Sequence, residues 1–326
     1  MIETLRNIES FTSDVDEGLS TNNKFLPSMY FYDQKGDALF VKIMNMPEYY
    51  LTDAELEIMN CQTKEIIRAF GMNGEHFKVL ELGPGDGQKV IKLFKQLNGS
   101  NFTYIPVDIS GSAIQKLEER LNKEIPGLDI NGRQGEYFEV LNSLNVNEKK
   151  VILFLGSSIG NLTDSLANEL MINISESMSG HDKLLIGFDL KKAPEVIELA
   201  YNDPHGYTRE FNLNLLRRIN SELGGNFNIY NFRHVPEYDL EKGIALSFLE
   251  STKDHIVKIK ATGKTYHFEK GERIHTELSR KYDLKTIHKI AKNTGLVIKH
   301  IFHDSRQYFI DVLFEKVYDF TATDMY

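Results

Sequence analysis

Apolar and polar residues follow two different patterns along this chain. From about residue 76 to residue 190, short apolar runs alternate with stretches of helical periodicity. The runs are KVLEL, TYIPVD, VILFLG and LLIGFD, and NGRQGEYFEVL predicts a shorter third strand and a loop. Strands that alternate with helices at this spacing predict a parallel sheet with helices on both faces and right-handed crossovers.

The alternation stops near residue 194 and resumes near residue 284. The segment between them predicts one helix, FNLNLLRRINSEL, and then several antiparallel strands with turns at Gly243, Gly263 and Gly271. The C-terminal part predicts a helix and two strands, VIKHIFHD and QYFIDVLFEK, with a tight connection at Ser305–Arg306. We expect these two strands to form a hairpin that completes the sheet.

The pattern therefore predicts a doubly wound α/β domain that is interrupted by an insertion. Its segments are residues 60–193 and 284–326, and a second α+β domain is built from residues 1–59 and 194–283. Thr52 and Glu55 have the spacing of a capping box, which predicts a helix that opens there and runs through Cys61 to Phe70. Ligands of such sheets bind at the carboxyl ends of the strands, where we expect the insertion to cover them.

Composition mainly excludes classes of protein. The 326 residues are 41% hydrophobic and 26% charged, as in ordinary globular proteins, and the net charge of −9 disfavours a nucleic-acid surface. Cys61 is the only cysteine, so no internal disulfide or cysteine metal cluster can form, and we expect it to be a packing residue. The first residues are not apolar, and no apolar run approaches ~18 residues, so we expect a cytoplasmic protein without a membrane span.

A glycine loop follows the first apolar run and precedes a helical stretch. It reads ELGPGDG over residues 81–87, in which glycines permit a tight turn and close approach to a ligand. It lacks the pattern of a phosphate-binding P-loop. Asp108 ends the second apolar run, and its carboxylate can accept both hydroxyl hydrogen bonds of a ribose, in an NAD site as well as in others.

The G-x-G-x-G spacing after an acidic residue resembles motif I of class I S-adenosylmethionine-dependent methyltransferases. The hairpin predicted over residues 297–316 agrees with the antiparallel end of their Rossmann-like sheet. The resemblance implies S-adenosylmethionine as cofactor and S-adenosylhomocysteine as its product, with Glu136 and Tyr137 at the adenine. The residues implied to bind the cofactor are Glu81, Gly83, Gly85, Lys89, Asp108, Glu136, Tyr137 and Gly156.

Further segments narrow the resemblance and extend it over nearly the whole chain. They are LPSMYFYDQKGDALFVKIMNMPEYYLTDAELEIM, ELGPGDGQK, FLGSSIGNL, LAYND and GERIHTELSRKY. Together they are similar to the histidine-specific N-methyltransferase family, whose best-known member makes trimethylhistidine on the ergothioneine route. The resemblance implies methylation of the α-amino group of L-histidine. We expect a monomer whose partner is a small amino acid, with no nucleic-acid or membrane partner.

The same resemblance assigns the substrate residues. Asn161 and Tyr201 would hold the α-carboxylate, since an amide and a phenol both donate hydrogen bonds. Glu277 and Ser279 share a strand face and would bind the imidazole. Aromatic rings would surround the amine and attract a growing quaternary ammonium by cation–π interaction. These rings are Tyr32, Phe40 and Tyr49, and Tyr32 is the candidate catalytic residue that hydrogen-bonds the amine during direct methyl transfer.

Other roles for these residues stay open. The three aromatic rings can be core residues, Asn161 can cap the next helix, and Glu277 can pair with Arg273 or Lys281. His275 shares the strand face of Glu277, where packing and pocket lining are both open.

Two positions depart from the family pattern. Leu246 or Ser247 stands where a family member carries a methionine near the ring pocket, and Glu136 replaces the usual aspartate. Another amino acid substrate, such as an aromatic one, and a product with fewer methyl groups therefore stay open. A protein or nucleic-acid methyltransferase and a non-catalytic cofactor-binding protein are disfavoured by the charge and by the intact glycine loop.

Overall fold

The computed structural model describes residues 2–72, 74–97, 100–144 and 148–317, with side chains from residue 8 onward. The chain divides into two compact units. The sheet unit comprises Leu51–Lys191 and the chain from Arg280, and the insertion unit comprises the chain up to Tyr50 together with Lys192–Ser279. The sequence pattern placed the corresponding divisions after residues 59, 193 and 283. In the described part of the chain, no helix has the length and apolar character needed to cross a membrane.

Helices and strands are numbered in chain order. The helices are α1 (Ile2–Ser20), α2 (Gln34–Met44), α3 (Tyr50–Cys61), α4 (Thr63–Phe70), α5 (Gln88–Gln96), α6 (Gly111–Glu124), α7 (Tyr137–Asn142), α8 (Asp164–Ser177), α9 (Pro194–Tyr201), α10 (Tyr207–Leu223) and α11 (Leu284–Asn293). The strands are β1 (Phe77–Leu82), β2 (Phe102–Asp108), β3 (Asp129–Ile130), β4 (Arg133–Gln134), β5 (Lys150–Phe154), β6 (Lys183–Asp189), β7 (Phe232–Asp239), β8 (Ile244–Ser251), β9 (His255–Ile259), β10 (Lys264–Phe268), β11 (Arg273–Arg280), β12 (Leu296–His303) and β13 (Phe309–Lys316). Short 3₁₀ turns lie at Ser28–Phe31, Ser158–Asn161 and Ile229–Asn231.

The sheet unit is built on an eight-stranded sheet with the order β12-β13-β6-β5-β1-β2-β3, and β4 also pairs with β2. The strands from β1 to β6 pair in parallel. The hairpin of β12 and β13 adds to β6 in the antiparallel direction. The predicted doubly wound sheet with a terminal antiparallel hairpin is therefore confirmed. Its strand order reverses between β1 and β5, which is where such sheets bind ligands.

Both faces of this sheet are covered by helices. Successive residues of β5 point to opposite faces, and Ile152 and Phe154 pack into a core that includes residues of α7, α8 and α11. Val151 and Leu153 pack on the other side against residues of α3, α4, α5 and α6. Burial on both faces is the reason why the strands read as continuous apolar runs in the sequence.

Two predictions about local structure in this unit are wrong. Thr52 and Glu55 do not open a helix, because α3 begins at Tyr50 and a separate helix begins at Thr63. The segment after the third strand is the helix α7 and not a loop. Cys61, expected to be a packing residue, is an exposed free cysteine at the last position of α3.

The insertion unit is organised around α10. Leu215, Leu216 and Ile219 on this helix are fully buried in a core that also contains Phe11 and Val15 of α1. Two small sheets complete the unit, one with the order β11-β8-β7, in which β7 and β8 pair in the antiparallel direction, and one formed by the antiparallel strands β9 and β10. The antiparallel strands that the sequence predicts for this segment are therefore present.

The ends of α10 explain why the helix lies where it does. Gly206 and Gly224 flank it with φ angles of +72° and +64°, which glycine adopts without strain. The Asp203 carboxylate accepts the backbone N–H groups of Tyr207 and Thr208, each at 2.8 Å. These are among the N–H groups that have no partner inside a helix, so Asp203 fixes its start.

Candidate functional site

The loop after β1 presents bare backbone to a ligand. Gly83, Gly85 and Gly87 adopt left-handed conformations with φ angles of +67°, +58° and +76°. A Cβ atom on Gly83 would lie 2.5 Å from the hydroxyl oxygen of Tyr137, whereas one on Gly85 would meet no heavy atom within 4 Å. Residues with side chains are strained at such φ angles, so glycine is required and leaves open space beside Gly85.

Asp108 lies beside this loop at the end of β2. The backbone N–H of Gly83 donates to the Val107 carbonyl at 2.9 Å, which joins the loop to the end of β2. One Asp108 carboxylate oxygen accepts the N–H of Ser110 at 2.8 Å. This bond orients the Asp108 side chain at the carboxyl end of the sheet.

Tyr137 begins α7, directly after the exposed Glu136. Burial, followed by the nearby carboxylates of Asp108, Glu136 and Glu81, raises the pKa of the Tyr137 phenol well above its usual range. The phenol therefore keeps its proton and remains a hydrogen-bond donor. The structure thus brings four predicted cofactor residues together, namely Gly83, Asp108, Glu136 and Tyr137.

Glu81 lies beneath the loop and is 2% exposed. The phenol of Tyr104 donates a hydrogen bond to its carboxyl group. Burial raises the pKa of Glu81 to about 8, although the Tyr104 hydrogen bond and the nearby Lys89 act in the opposite direction. At neutral pH this residue is therefore mainly a neutral acid that supports the loop from below.

The sequence pattern gave no role in the site to Glu55, which is 1% exposed. Its two carboxylate oxygens accept the N–H of Gly156 at 2.8 and 3.0 Å, and one lies 2.7 Å from Nζ of Lys89. Two predicted cofactor residues are thus held by one carboxylate. One signal in the sequence could have indicated its burial. Glu55 is an acidic residue next to Ala54 and on the helix face of Ile58 and Met59, which are all buried.

Asn161 is an exposed residue at the end of the 3₁₀ turn after β5. Thr163 caps α8 by accepting the N–H of Leu166, so the capping role considered for Asn161 is wrong. Ser157 precedes the turn with φ +56°, a conformation that is unusual for a residue with a side chain. Its hydroxyl accepts the N–H of Asp189 at 3.0 Å, which holds the strained segment in place.

The three predicted aromatic residues of the insertion unit meet in one cluster. Tyr32 lies edge-on to Phe40 with ring centroids 5.6 Å apart, and Phe40 lies 6.4 Å from Tyr49. The sequence pattern did not single out Phe211, whose ring is 5.6 Å from Tyr32 and 5.8 Å from Phe40. Tyr32 remains 46% exposed, so part of the cluster faces solvent.

Two hydrogen-bonded pairs involve predicted substrate residues of the insertion unit. The Tyr201 phenol donates to the Ser279 hydroxyl at 2.7 Å. The Ser247 hydroxyl donates to a carboxylate oxygen of Glu277 at 3.2 Å. Of the two residues at the ambiguous position, Ser247 is the one bonded to Glu277, while Leu246 is half-buried. The Ser247–Glu277 pair therefore combines a carboxylate acceptor with a hydroxyl group. Such a pair suits a ligand ring that bears an N–H.

The two cations considered as partners of Glu277 both bind other carboxylates. Arg273 binds Glu237 and Glu250 at 2.6 and 2.9 Å, and Lys281 binds Asp189 at 2.7 Å.

His275 packs against Phe248 with ring centroids 5.4 Å apart. Burial lowers the pKa of its imidazole, so this histidine is neutral at neutral pH. Among the described residues, no group of three or more His, Cys, Asp or Glu side chains is arranged to hold a metal ion.

Comparison with known proteins identifies relatives over most of the chain. The family model for histidine-specific, SAM-dependent methyltransferases matches residues 11–316. Histidine N-alpha-methyltransferase of Mycobacterium tuberculosis is 33% identical over 82% of this chain and 83% of its own, and that of Mycolicibacterium smegmatis is 30% identical over 91% and 92%. Ergothioneine biosynthesis protein 1 of Schizosaccharomyces pombe is 29% identical over 79% of this chain and 35% of its own length.

Proposed function

The chain belongs to the family of histidine-specific, S-adenosylmethionine-dependent methyltransferases, and on this basis we propose that it methylates the α-amino group of L-histidine. The observation that carries the proposal is the extent of the family match, residues 11–316. This range includes the glycine loop of the sheet unit as well as the Glu277 pair of the insertion unit. The proposed product is trimethylhistidine, as in the family member that makes it.

The sheet unit is the proposed cofactor-binding unit. S-adenosylmethionine supplies a methyl group on a sulfonium and is released as S-adenosylhomocysteine. Asp108 is suited to the ribose hydroxyls, because a carboxylate accepts two hydrogen bonds. Glu136 would accept from the adenine amine beside Tyr137. The open space beside Gly85 and the positive charge of Lys89 support cofactor binding at this loop. Gly156 and the neutral Glu81 are the remaining residues of the proposed cofactor site.

The insertion unit is the proposed substrate-binding unit. Glu277 would accept the imidazole N–H, with Ser247 and Ser279 providing hydroxyl groups beside it. Tyr201 would donate to the α-carboxylate. In the sheet unit, the exposed amide of Asn161 keeps its proposed role as a second carboxylate donor. Leu246 or Ser247 takes the place of the family's methionine; the short side chain of Ser247 would leave room around the ring, and Leu246 would add apolar surface.

The attacking amine must be neutral, whereas a free α-amino group has a pKa of about 8. Aromatic walls desolvate an ammonium and lower its pKa, so the cluster of Tyr32, Phe40, Tyr49 and Phe211 favours the reactive form. Tyr32, which is 46% exposed, is the proposed hydrogen-bond partner of the amine. Much of the remaining acceleration comes from holding the amine nitrogen, the methyl carbon and the sulfur in one line.

The same rings explain how repeated methylation is tolerated. Each methyl group replaces an N–H, so the trimethylated product has no hydrogen to donate and loses nothing in an apolar cage. Its fixed positive charge gains cation–π attraction of about 0.5–2 kcal/mol at such rings. An aromatic cluster is therefore suited to the amine in each of its methylation states, including the trimethylated product.

The direct test is to incubate the protein with S-adenosylmethionine and each of the twenty amino acids, and to measure methylated products by mass. We expect histidine to gain up to three methyl groups and the other amino acids to remain unmodified. Methylation of another amino acid without methylation of histidine would refute the histidine assignment. The departure from the family pattern at Leu246 or Ser247 would then be the first place to look for the cause.

A further inference from the structure

Two of the fully buried aspartates of the sheet unit have opposite surroundings. Asp182 accepts the Lys150 ammonium at 2.7 Å and the backbone N–H groups of Lys150 and Ser179 at 2.8 and 2.7 Å. Asp311, also 0% exposed, receives no hydrogen bond on either carboxyl oxygen from the donor groups of the described residues. Burying an ionised carboxylate without a donor is very unfavourable, so the surroundings of Asp311 favour its neutral acid form.

The neighbour of Asp311 is the carboxylate of Glu55. On the paired strand, Asp311 lies opposite Gly187, and residues at paired positions point to the same face of a sheet. A Cβ atom on Gly187 would lie 2.6 Å from Oε1 of Glu55. The Glu55 carboxylate therefore lies over Gly187, on the sheet face from which the Asp311 side chain projects.

We propose that Asp311 is a positioning residue of the cofactor site: as a neutral carboxylic acid it donates a hydrogen bond to Glu55. Glu55 is thereby fixed in the position from which it holds Lys89 and the Gly156 N–H. The inference rests on the proposed function, because it takes these two residues to face S-adenosylmethionine. Asp311 would act on the cofactor only through Glu55.

The charges around Glu55 support this assignment. Burial, then the Glu55 carboxylate and a hydrogen bond with Glu55, raise the pKa of Asp311 well above its usual range, against the opposing charge of Lys89. Glu81, bonded to Tyr104, also faces this group, and its own pKa is raised by burial and by Glu55 and Asp86. Three ionised carboxylates beside the Lys89 ammonium would leave two uncompensated negative charges. With protons on Asp311 and Glu81, Glu55 and Lys89 balance each other.

The test compares Asp311→Asn, Asp311→Ala and the matched control Asp182→Asn in titrations with S-adenosylmethionine. The asparagine amide can replace the donor of a neutral acid, so D311N should bind within about threefold of the wild type, whereas D311A should bind about tenfold more weakly. D182N should have a lower unfolding midpoint than D311N, because it leaves the Lys150 charge unpaired. Loss of cofactor binding in D311N as large as in D311A, or the reverse order of midpoints, would overturn the proposal.

A spectroscopic readout separates this inference from the proposed function. The infrared difference between wild type and D311N should contain the carbonyl band of a protonated carboxylic acid, and its absence would contradict the inference. This band does not depend on cofactor binding or on D311A folding. A wild-type protein that shows the band but binds no S-adenosylmethionine would refute the proposed function and leave the Asp311–Glu55 bond established.

Discussion

The phenol of Tyr201 donates a 2.7 Å hydrogen bond to the hydroxyl of Ser279, and both side chains are buried. The bond joins α9 to β11 across 78 residues of sequence. A phenol has one proton to donate. If Tyr201 turns that proton to a substrate carboxylate, Ser279 loses its donor, so the two residues should act as one unit.

This unit predicts the behaviour of Tyr201→Phe, which removes the hydroxyl and keeps the ring. The KM for histidine should rise about tenfold, because a hydrogen bond to a charged group is lost, while the dissociation constant of S-adenosylmethionine stays unchanged. Steady-state kinetics of Y201F, S279A and the double variant measure the coupling. Effects that simply add would show that the two side chains act independently.

Glu277→Gln should weaken histidine binding selectively. The amide keeps the size of the side chain but loses the charged acceptor for the imidazole N–H, so the dissociation constant for histidine should rise tenfold or more, about 1.4 kcal/mol at least. The matched control is Glu250→Gln, whose carboxylate binds Arg233 and Arg273 and has no proposed contact with substrate. Calorimetric titration with histidine should separate the two variants, and equal losses would remove the proposed role of Glu277.

Phe40→Leu should slow the later methylations more than the first. Each methyl group removes an N–H that could bond to Tyr32, so the later transition states depend more on the cation–π attraction of the ring, and losing about 1 kcal/mol of it slows a step about fivefold. A time course by mass should therefore show singly and doubly methylated histidine accumulating. Phe248→Leu is the control, because Phe248 packs against His275 outside the aromatic cluster. A uniform slowing of all steps in F40L would point to a packing defect.

Glu81 predicts a pH dependence of stability. Its pKa rises from 4.5 to about 8 in the folded protein, so the folded state binds the proton more tightly than the unfolded state. The contribution of Glu81 to the free energy of unfolding is therefore complete below pH 4.5 and is lost as the pH rises to about 8. The free energy of unfolding falls over this range by up to ~1.4 kcal/mol per pH unit. Glu81→Gln should flatten this slope. Urea unfolding of both proteins between pH 5 and pH 9 measures it, and parallel curves would contradict the assignment.

The sheet, its terminal hairpin and the family were predictable because their signals are local or continuous in sequence. Glycines between a strand and a helix, and apolar runs such as that of β5, carry their meaning without knowledge of distant residues. The family match then confirmed the histidine-specific resemblance that segments such as GERIHTELSRKY indicated. The site residues named from that resemblance remain predictions until the variants are measured.

The features that the sequence did not show depend on distant contacts. Glu55 resembled part of a capping box, yet its carboxylate binds Gly156, 101 residues away. Asp311 lies in an ordinary strand, and only the pairing with Gly187 brings it beside Glu55. Phe211 belongs to an apolar helix face, so nothing distinguished it from a core residue until Tyr32 and Phe40 packed around it.

The proposed acceptor of the methyl groups is the α-nitrogen of histidine. The most direct measurement is NMR spectroscopy of the product made from histidine and S-adenosylmethionine with a ¹³C-labelled methyl group. We expect the labelled carbon to be bonded to the α-nitrogen and the imidazole nitrogens to remain unmethylated. Label on an imidazole nitrogen, or no label on histidine, would contradict it.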